Sequence, residues 1–418
     1  ADLAIIFRYF LDEEQEHVFS IMKANEQTAA FLVELDDTIL QNLLEEENPE
    51  RISALIRQAP VNDQSYILGN LGEEKAQSVI DLLKLEEKEE IEELMGYPED
   101  SAGAMMTTDI FTLRQDTTCG DALKTLQDQE DAEMVFYLYL TDEDGRLTGV
   151  ASLRALATSQ VDTKMCDIMI KRVHSVRPET DQEDVAKIVA QYNYLAVPVL
   201  DEDEHLLGIV TVDDVVDVIR EEATEDFLQM AGAGKDREIL LKSSWDNAKA
   251  RLPWLFASWV GGIIAANIIG AFEHMLESIL VLAAFIPVII GMGGNIGTQS
   301  STIIVRGMAT GRVDPGSEFK VLFKEIRVGL ILGLLYGFLL GLFAKFKFMD
   351  ADPMLGFVVG LSICASMLLA VTVGSLIPLF LRKLDIDPAV ATGPFVTTSI
   401  DILGVLLYFM IAGLLLNL

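Results

Sequence analysis

The chain has 418 residues, of which 50% are hydrophobic and 23% charged, and its formal net charge is −34. Its three cysteines, Cys119, Cys166 and Cys364, lie far apart, which excludes a disulfide framework and a Cys-x-x-Cys metal site. Residues 1–251 contain 22 Lys and Arg against 55 Asp and Glu, whereas residues 252–418 contain 9 against 10. An acidic, water-soluble half therefore precedes a nearly neutral, apolar half, and we expect no nucleic-acid partner.

Short amphipathic helices fill the first part of the chain, residues 1–98. In one of them Asn48 is a predicted N-cap and Pro49 the first helical residue. Ile52 and Leu55 then lie on one face of that helix, and Glu-rich helical stretches follow. These patterns predict an all-α domain, a helical superhelix with an acidic exterior.

A repeated pattern follows the helical region. The stretches 145–156 and 204–215 each combine a glycine, an apolar strand, a hydroxyl side chain and a helix start, and they lie 59 residues apart. Strand patterns occur at matching places, at residues 134–141 and 194–201. Because one unit of about 60 residues buries little core alone, we predict two tandem α/β units. They are residues 99–160 and 161–222.

This repeat resembles a pair of cystathionine-β-synthase (CBS) domains. In that family a glycine, two apolar residues, Thr or Ser and then Asp form a signature for the ribose of a nucleotide. The second copy has Gly208, Thr211 and Asp214 at these positions, whereas Ala155 replaces the Asp in the first copy. The resemblance implies one site, at Thr211 and Asp214, for ATP or another adenine nucleotide. The alternative is that Thr211 only caps the following helix.

The segment that follows, residues 223–251, is predicted to be a connecting helix at the membrane surface. It is acidic at its start and basic at its end, where Lys242, Lys249 and Arg251 would meet anionic lipid head groups. The alternative is a simple linker. The length and amphipathic character of the segment favour a helix that transmits force.

Residues 252–418 contain five apolar runs long enough to cross a bilayer, since about 20 apolar residues span its core as a helix. The segments 249–251, 306–327 and 382–383 carry most of the Lys and Arg, while the opposite side has only Lys345 and Lys347. Because Lys and Arg favour cytoplasmic loops, we predict cytoplasmic N-terminal domains, an outside C-terminus and location in the cell inner (plasma) membrane. The five runs are residues 253–272, 279–305, 328–344, 354–380 and 389–416.

Asp401 is the only charged residue that these runs place deep in the hydrocarbon. A carboxylate at the bilayer centre costs about 2.5–3.5 kcal/mol on insertion scales, so intramembrane acids usually line a water-filled path. With Pro388 as the first helical residue, a rise of about 1.5 Å per residue puts Asp401 about 20 Å along the helix, near mid-membrane. The alternative is a packing role, with the carboxylate bonded to Thr397, Thr398 or Ser399.

The second apolar run has an unusual density of glycine and polar residues at positions 291–301. The glycines allow close helix approach, and the amide and hydroxyl groups are too many for a lipid-facing surface. The run lacks the Gly-Lys-Ser/Thr ending of a phosphate-binding loop, so nucleotide hydrolysis is not supported. We interpret the run as a pore wall. The predicted lining residues are Gly294, Asn295, Gln299 and, from the last run, Thr397.

The residues around Asp401 favour a hard cation. A transition metal would require Cys, His or Met ligands, and the sequence clusters none there. Mg²⁺ keeps several waters and is typically held by one or two carboxylates, so one Asp401 per chain suits a hydrated Mg²⁺ ion. The residues alone leave Ca²⁺, Na⁺ and H⁺ open. The chain shows no nucleophile, metal cluster or phosphate loop, so we predict that it is not an enzyme.

The order of these regions resembles the MgtE family of magnesium channels and transporters. The similarity covers essentially the whole chain, and its local signatures are residues 97–107, 210–227, 287–311 and 387–404. It implies a homodimer in the lipid bilayer, with a pore on the two-fold axis lined by the second and fifth membrane helices. Asp401 falls at the pore-acid position of the family and would recognise hydrated Mg²⁺.

The resemblance also implies a regulatory role for the acidic half. In the family, cytosolic Mg²⁺ binds between the helical domain, the CBS domains and the connecting helix and holds the pore shut. The charge of residues 1–251 supports this independently, because divalent ions between acidic faces would offset their repulsion. Asn193 departs from the pattern, at a position where an acid can occur. The matching regulatory acids are Asp181, Glu183, Asp213, Asp214, Asp217, Glu222, Glu225 and Asp226.

Three functions are therefore open from the sequence. The first is a Mg²⁺-selective channel or facilitator, driven by the membrane potential and closed by cytosolic Mg²⁺. The second is a secondary carrier for Mg²⁺ or other divalent cations, in which Asp401 alternates between cation and proton. The third is a membrane-anchored nucleotide sensor without transport.

Overall fold

The computed structural model describes residues 2–128, 137–313, 316–384 and 386–416. The chain divides into two compact units, Ala1–Glu222 and Ala223–Leu418. The first unit holds the predicted helical and α/β regions, and the second holds the predicted membrane region. Part of the first strand pattern, residues 134–136, lies outside the described residues.

Short helices form the N-terminal domain, as predicted. The side chain of Asn48 accepts a hydrogen bond from the backbone N–H of Arg51 at 2.9 Å, and Pro49 is the first residue of that helix. Ile52 and Leu55 are fully buried, so the predicted helix start and face are confirmed. The helices are α1 (Asp2–Phe7), α2 (Asp12–Ile21), α3 (Glu26–Val33), α4 (Asp37–Glu45), α5 (Pro49–Ile56), α6 (Val61–Gly69), α7 (Glu73–Ile80) and α8 (Leu85–Leu94).

Two small sheets follow, and they confirm the predicted repeat. In the first sheet β1 pairs in parallel with β2, which pairs antiparallel with β3; in the second, β4 pairs antiparallel with β5. Both antiparallel pairs have a register shift at their last residue pair. The elements are α9 (Ala102–Met105), β1 (Thr112–Arg114), α10 (Cys119–Asp128), β2 (Tyr137–Thr141), β3 (Leu147–Ser152), α11 (Leu153–Thr158), α12 (Met165–Ile168), α13 (Gln182–Tyr192), β4 (Ala196–Leu200) and β5 (Leu206–Thr211).

The two α/β repeats exchange edge segments. Thr107, which precedes the first sheet, forms backbone hydrogen bonds of 2.9 and 3.0 Å with Ile209 in β5. Ile170, which precedes the second sheet, forms bonds of 2.8 and 3.0 Å with Val150 in β3. Each repeat therefore completes the sheet of the other, so neither has a complete set of strand pairings alone.

The repeated glycine makes this exchange possible in both copies. A Cβ atom added to Gly208 would lie 2.7 Å from the side chain of Met106. One added to Gly149 would lie 2.8 Å from the sulfur of Met169 and 2.9 Å from the carbonyl oxygen of Ile170. Only a residue without a side chain fits at such a close approach.

A long helix, α14 (Val212–Met230), begins directly after β5. The structure divides the predicted connecting helix 223–251 into the end of α14, a turn, and the start of a second helix at Ser244. Gly232 and Gly234 in the turn have φ angles of +68° and +102°. A right-handed helix cannot continue through left-handed residues, so the amphipathic pattern extends across two helices.

Among the residues that the structure describes, the second unit contains five helices long and apolar enough to cross a membrane, which confirms the predicted number. The largest difference in bounds concerns the third, predicted over 328–344 and observed over Glu318–Lys347. Hydrophobicity marks only the part of a helix suited to hydrocarbon, whereas its backbone hydrogen bonds continue into polar flanks. The helices are α15 (Ser244–Ala271), α16 (Glu273–Ser278), α17 (Ile286–Ala309), α18 (Glu318–Lys347), α19 (Leu355–Arg382) and α20 (Pro394–Leu416), with 3₁₀ helices at Leu280–Phe285 and Pro388–Ala391.

Helices α18 and α19 approach each other almost backbone to backbone. A Cβ atom on Gly337 would lie 2.5 Å from the carbonyl oxygen of Gly360, and one on Gly341 would lie 2.5 Å from that of Gly356. Small residues at four-residue spacing form one helix face and permit such packing in membranes. The glycines on this face of α18 are Gly329, Gly333, Gly337 and Gly341.

Candidate cation pathway

Asp401 lies in α20, seven residues after its first residue, Pro394. At about 1.5 Å per residue this is about 10 Å along the helix, not the 20 Å predicted from Pro388. The prediction was correct about the local cap, because the Asp387 side chain accepts a hydrogen bond from the Ala389 N–H at 2.8 Å. That cap starts only a short 3₁₀ helix, and α20 begins after it.

The interruption before α20 coincides with a contact to the end of α14. A Cβ atom on Gly393 would lie 3.0 Å from the carbonyl oxygen of Met230. One on Gly232 would lie 2.9 Å from Cδ of Pro394. The C-terminal end of α14 therefore packs directly against the first residues of the helix that carries Asp401.

The carboxylate of Asp401 faces the backbone of α17. A Cβ atom built on Gly294 would lie 3.9 Å from Oδ1 of Asp401. Asp401 is half-buried in the chain. Because Gly294 has no side chain, the space beside the carboxylate on this side is bounded by the α17 backbone.

The packing alternative for Asp401 finds no support in its neighbours. The Thr397 hydroxyl donates to the Pro394 carbonyl at 3.2 Å, and the Ser399 hydroxyl donates to the Phe395 carbonyl at 2.8 Å. Thr398 packs its methyl group against α15, where a Cβ on Gly261 would be 1.8 Å away. All three side chains are thus engaged elsewhere.

The other predicted lining residues differ in exposure. Asn295 and Gln299 are exposed, whereas Gly294 and Thr397 are half-buried. Asn295 and Gln299 are four residues apart and so lie on one face of α17. Exposed amide groups cannot be satisfied by hydrocarbon, so this face requires water or another protein surface.

Glycine contacts hold α17 close to its neighbours on the opposite side. A Cβ on Gly374 of α19 would lie 2.3 Å from the carbonyl oxygen of Gly297. A Cβ on Gly297 itself would lie 2.0 Å from Cδ1 of Ile400 in α20. The density of glycine in this run, which the sequence showed, therefore reflects close helix packing as well as the candidate pathway.

The sequence analysis missed one ionisable residue of the membrane unit, Glu325. Its side chain is 6% exposed, and it is the only charged residue among the buried residues that the structure describes. The Ser300 hydroxyl donates a hydrogen bond to its Oε2 atom at 2.9 Å. Glu325 lies just before the third predicted run, 328–344, so the prediction that Asp401 is the only charged residue deep in those runs stays a prediction.

Glu325 was missed because of the charges that flank it. Lys324 and Arg327 made residues 306–327 look like a polar loop, yet both point outward from α18 and are exposed. Glu325 precedes Gly329 by four residues, and Gly329 packs against Val371 of α19. Residues four apart share a helix face. The spacing of Glu325 from Gly329 was therefore the signal in the sequence that could have predicted its burial.

The acids predicted to regulate transport lie on α13 and α14 and before them. Asp181 accepts a hydrogen bond from the backbone N–H of Glu183 at 2.8 Å, and Glu183 forms an ion pair of 3.2 Å with Lys187. Asn193, which departs from the acidic pattern, ends α13 with a φ of +53°. Asn tolerates this left-handed conformation at a helix C-terminus, which explains the departure locally.

On α14 the predicted acids follow its length. Asp213 and Asp217 are exposed, and Asp226 is half-buried. Glu222 accepts a hydrogen bond of 2.5 Å from Gln182, which also contacts Asp100 at 3.3 Å. This amide links the start of α13 to the middle of α14.

Glu225 is already paired within the chain. Glu225 forms an ion pair of 3.3 Å with Lys235 and accepts a hydrogen bond of 2.8 Å from Gln229. Among the residues that the structure describes, no group of three or more His, Cys, Asp or Glu side chains is placed to hold a metal ion.

The candidate nucleotide residues contact each other. The Thr211 hydroxyl donates to Oδ2 of Asp214 at 2.5 Å, and burial raises the pKa of Asp214 above its usual range. In the first copy Ser152 instead caps α11, accepting a hydrogen bond from the Ala155 N–H at 3.1 Å. Replacement of the Asp by Ala155 thus leaves a simple helix cap in the first copy and a hydroxyl–carboxylate pair in the second.

Models of known protein families match most of the chain. The MgtE intracellular N domain matches residues 1–100, and the CBS domain matches residues 102–162 and 165–221. The MgtE model, described as a divalent cation transporter, matches residues 286–411. This last match contains α17 and Asp401.

Curated relatives are similar over much of their own length. The magnesium transporter MgtE of Thermus thermophilus is 40% identical over 344 residues, which are 82% of this chain and 76% of the relative. That of Bacillus subtilis is 34% identical over 412 residues, or 98% of this chain and 90% of the relative.

Two solved structures match about half of the chain. The soluble part of a magnesium transporter is 34% identical, covering 53% of this chain and 87% of that one at a TM-score of 0.48. The cytosolic domain of the Mg²⁺ channel MgtE in complex with ATP is 32% identical, covering 52% and 93% at a TM-score of 0.40. Together with the curated relatives and the five apolar helices, the family models identify a multi-pass membrane transporter and not an enzyme. The chain belongs to the MgtE family of magnesium transporters.

Proposed function

We propose that this chain conducts Mg²⁺ through a pore lined by α17 and α20, in which Asp401 recognises the hydrated ion. The observation that carries the proposal is the half-buried Asp401 carboxylate beside the bare backbone at Gly294. Mg²⁺ dehydrates reluctantly and keeps several waters when carboxylates bind it. A wall without a side chain leaves room for those waters, and the amides of Asn295 and Gln299 can bond to them.

The pore is expected at the axis of a homodimer. A two-fold axis places the same surface of both subunits face to face. The exposed amide face of α17, with Asn295 and Gln299, cannot be satisfied by lipid, so a water-filled space between two copies suits it. Two Asp401 carboxylates would then surround one ion, which matches the one or two carboxylates that Mg²⁺ usually takes.

The membrane potential supplies the driving force in this proposal. Moving one elementary charge through 100 mV is worth about 2.3 kcal/mol, and Mg²⁺ carries two. The concentration of Lys and Arg between the second and third helices and after the fourth supports the proposal that the N-terminal domains are cytoplasmic and that the inner membrane holds the protein. A negative cell interior then favours the entry of Mg²⁺ into the cytosol.

A secondary carrier is the second candidate. In that mechanism the Asp401 carboxylate would alternate between a cation and a proton. Saturating Mg²⁺ flux with stoichiometric proton movement would favour it over a channel. Family membership speaks against the third function, a nucleotide sensor without transport.

Regulation by cytosolic Mg²⁺ is proposed to act through α14. The acids Asp213, Asp217 and Glu225 lie along this helix. Its end contacts the start of α20 at Gly393 and Pro394, so a displacement of α14 is transmitted to the helix that carries Asp401. Binding of Mg²⁺ to a closed arrangement of the acidic faces would favour that state, as coupling between two sites requires. The remaining acids assigned to this role are Asp181, Glu183, Asp214, Glu222 and Asp226.

The second CBS copy is the proposed site for ATP or another adenine nucleotide. A carboxylate oriented by a neighbouring hydroxyl, as Asp214 is by Thr211, is suited to accept hydrogen bonds from ribose hydroxyls. The first copy lacks that carboxylate at Ala155. We therefore expect one nucleotide per chain.

Mg²⁺ flux into proteoliposomes with an inside-negative potential tests the pore directly. Asp401→Asn keeps the size of the side chain and removes its charge. We expect flux to fall by roughly ten- to a hundred-fold, the value of an interaction with a charged group. Asp350→Asn, at an exposed position after α18, is the matched control and should conduct like the native chain. Unchanged flux in Asp401→Asn would contradict the proposal.

A further inference from the structure

A buried carboxylate outside the proposed ion pathway connects two membrane helices. Glu325 of α18 is 6% exposed and Ser300 of α17 is 2% exposed, and the serine hydroxyl donates to Oε2 of Glu325 at 2.9 Å. Buried ionisable residues in membrane helices are rare because hydrocarbon does not solvate them. The pore acid Asp401 does not contact this pair by any bond that the structure describes, so the pair has another role.

The position of Ser300 on α17 indicates that role. Ser300 directly follows Gln299, a proposed lining residue, and it is buried whereas Gln299 is exposed. The two side chains therefore point in directions about 100° apart around the helix, one exposed and one buried. A contact that holds Ser300 also sets the direction of Gln299.

The closest approaches of α17 to its neighbours are made by glycines. Its face toward α19 and α20 is formed by Gly293 and Gly297, whose missing side chains let the helices approach closely. These contacts are apolar, with Ile400 of α20 filling the space beside Gly297. The hydrogen bond from Ser300 to Glu325 adds a directional contact between side chains, which weakens steeply when its angle changes.

We propose that Glu325 is a positioning residue: by accepting the Ser300 hydrogen bond it holds α17 at the rotation that presents Asn295 and Gln299 to the ion. The inference rests on the proposed pore. It assigns ion discrimination partly to a residue of α18, a helix that does not line the pathway. Reach, rather than charge, is the required property of the side chain at position 325.

Two substitutions at this position separate reach from charge. Glu325→Gln keeps the chain length and a carbonyl oxygen that can accept the Ser300 bond, but it removes the charge. Glu325→Asp keeps the charge and is one methylene shorter, so it cannot reach Ser300 at 2.9 Å without helix movement. Ser300→Ala removes a single oxygen atom and leaves the packing volume nearly unchanged.

The readout is the ratio of Mg²⁺ to Ca²⁺ flux in proteoliposomes, measured with the full-length dimer or monomer that elutes as folded protein. We expect Ser300→Ala and Glu325→Asp to lower this ratio roughly ten-fold, the factor for loss of a hydrogen bond to a charged group. Glu325→Gln should retain most of the native ratio. A residue with a structural role alone would change the yield of folded protein and not the ratio.

Several outcomes decide against the inference. A native ratio in Ser300→Ala overturns it, and this variant decides the question if Glu325→Asp does not fold. The inference is also overturned if Glu325→Asp has a native flux ratio and Glu325→Gln has a lowered flux ratio. The charge at position 325 would then matter, and the reach of the side chain would not. The Asp401→Asn variant keeps the two proposals distinct. If its flux is native, the proposed pore is wrong. If its flux is abolished and Ser300→Ala has a native ratio of Mg²⁺ to Ca²⁺ flux, only the proposed role of Glu325 is refuted.

Discussion

Single carboxylates in this protein differ mainly in how much water and which partners they keep. Asp214 illustrates this at the start of α14. It is half-buried beside the exposed Asp213, and burial is the first cause that raises its pKa, with the nearby charges of Asp213 and Asp217 adding to it. The Thr211 hydroxyl acts in the opposite direction, because it donates to the carboxylate. Ionised Asp214 therefore lowers the stability of the folded region.

The first prediction concerns the pH dependence of this region. A raised pKa in the folded state means that stability is lost as the pH rises above the unfolded value of about 3.9. Asp214→Asn removes that penalty and keeps an acceptor for Thr211. We expect slower amide hydrogen exchange in the first turns of α14 than in the native chain at pH 7.5, with the difference disappearing near pH 4.

Asp213→Asn is the control for this prediction. Asp213 is exposed, and surface substitutions usually change stability by no more than about 0.5 kcal/mol. It should leave the exchange rates of α14 close to native. Equal or faster exchange in Asp214→Asn at pH 7.5 would show that the charge of Asp214 is not destabilising.

The contact between α18 and α19 is determined by the helix faces as wholes. Their glycines bring two backbones to a distance at which any side chain would collide. Such contacts maximise van der Waals packing, which drives helix association where hydrophobic burial cannot. The stability of the membrane unit should therefore be sensitive to the smallest possible addition on this face.

The second prediction is that Gly337→Ala destabilises the membrane unit. The new methyl group would lie 2.5 Å from the backbone oxygen of Gly360, which cannot move aside independently. Overpacking of this kind costs about 1–3 kcal/mol. All three tryptophans of the chain, Trp245, Trp254 and Trp259, are in this unit, so thermal unfolding followed by tryptophan fluorescence in detergent reports on it.

A glycine in the same unit provides the control. Gly262 lies inside α15 with nothing within 4 Å of an added Cβ. Because Ala favours helix over Gly by about 1 kcal/mol, Gly262→Ala should have an unchanged or raised melting temperature. If both variants melted alike, the close approach of α18 and α19 would not contribute to stability as inferred.

Across the whole chain, charge and hydrophobicity are separated between the two halves. Residues 1–251 hold 55 of the 65 acidic residues, and acidic surfaces repel one another unless cations intervene. Family membership makes the membrane half a magnesium transporter. A transporter whose own substrate neutralises its soluble half is suited to feedback, provided the ion binds one state better than the other.

The third prediction tests this feedback. Asp213→Asn, Asp217→Asn and Glu225→Gln together remove three charges along α14. We expect Mg²⁺ flux to remain high at high cytosolic Mg²⁺, where the native chain closes, because the closed arrangement loses its bound ions. The measurement is flux in vesicles loaded with low or high Mg²⁺ on the side that faces the soluble domains.

A control triple keeps the total charge of the variant but moves the site. Neutralising three exposed acids of α2 should leave inhibition by Mg²⁺ intact. The regulatory proposal fails if the α14 triple is inhibited like the native chain, or if both triples lose inhibition equally. The three control positions are Asp12, Glu13 and Glu16.

The sequence by itself determined the features that depend on local composition and spacing. The break near residue 251, the five apolar runs, the cap at Asn48 and the repeated α/β pattern are all written in consecutive residues. Asp401 was detectable for the same reason, since a single acid in an apolar run is conspicuous. The family resemblance rested on motifs of this kind, and the comparisons confirm it.

Only the tertiary structure decided which distant residues meet. Glu325 looked like part of a charged loop until α18 was seen to begin at Glu318 and to bury it against Ser300. The start of α20 at Pro394 coincides with the contact of Gly393 with α14, and the exchange of strand edges between the two repeats brings neighbours close to Gly149 and Gly208. In each case backbone or side-chain packing between segments far apart in the chain overrides a local signal, and no window of neighbouring residues contains that information.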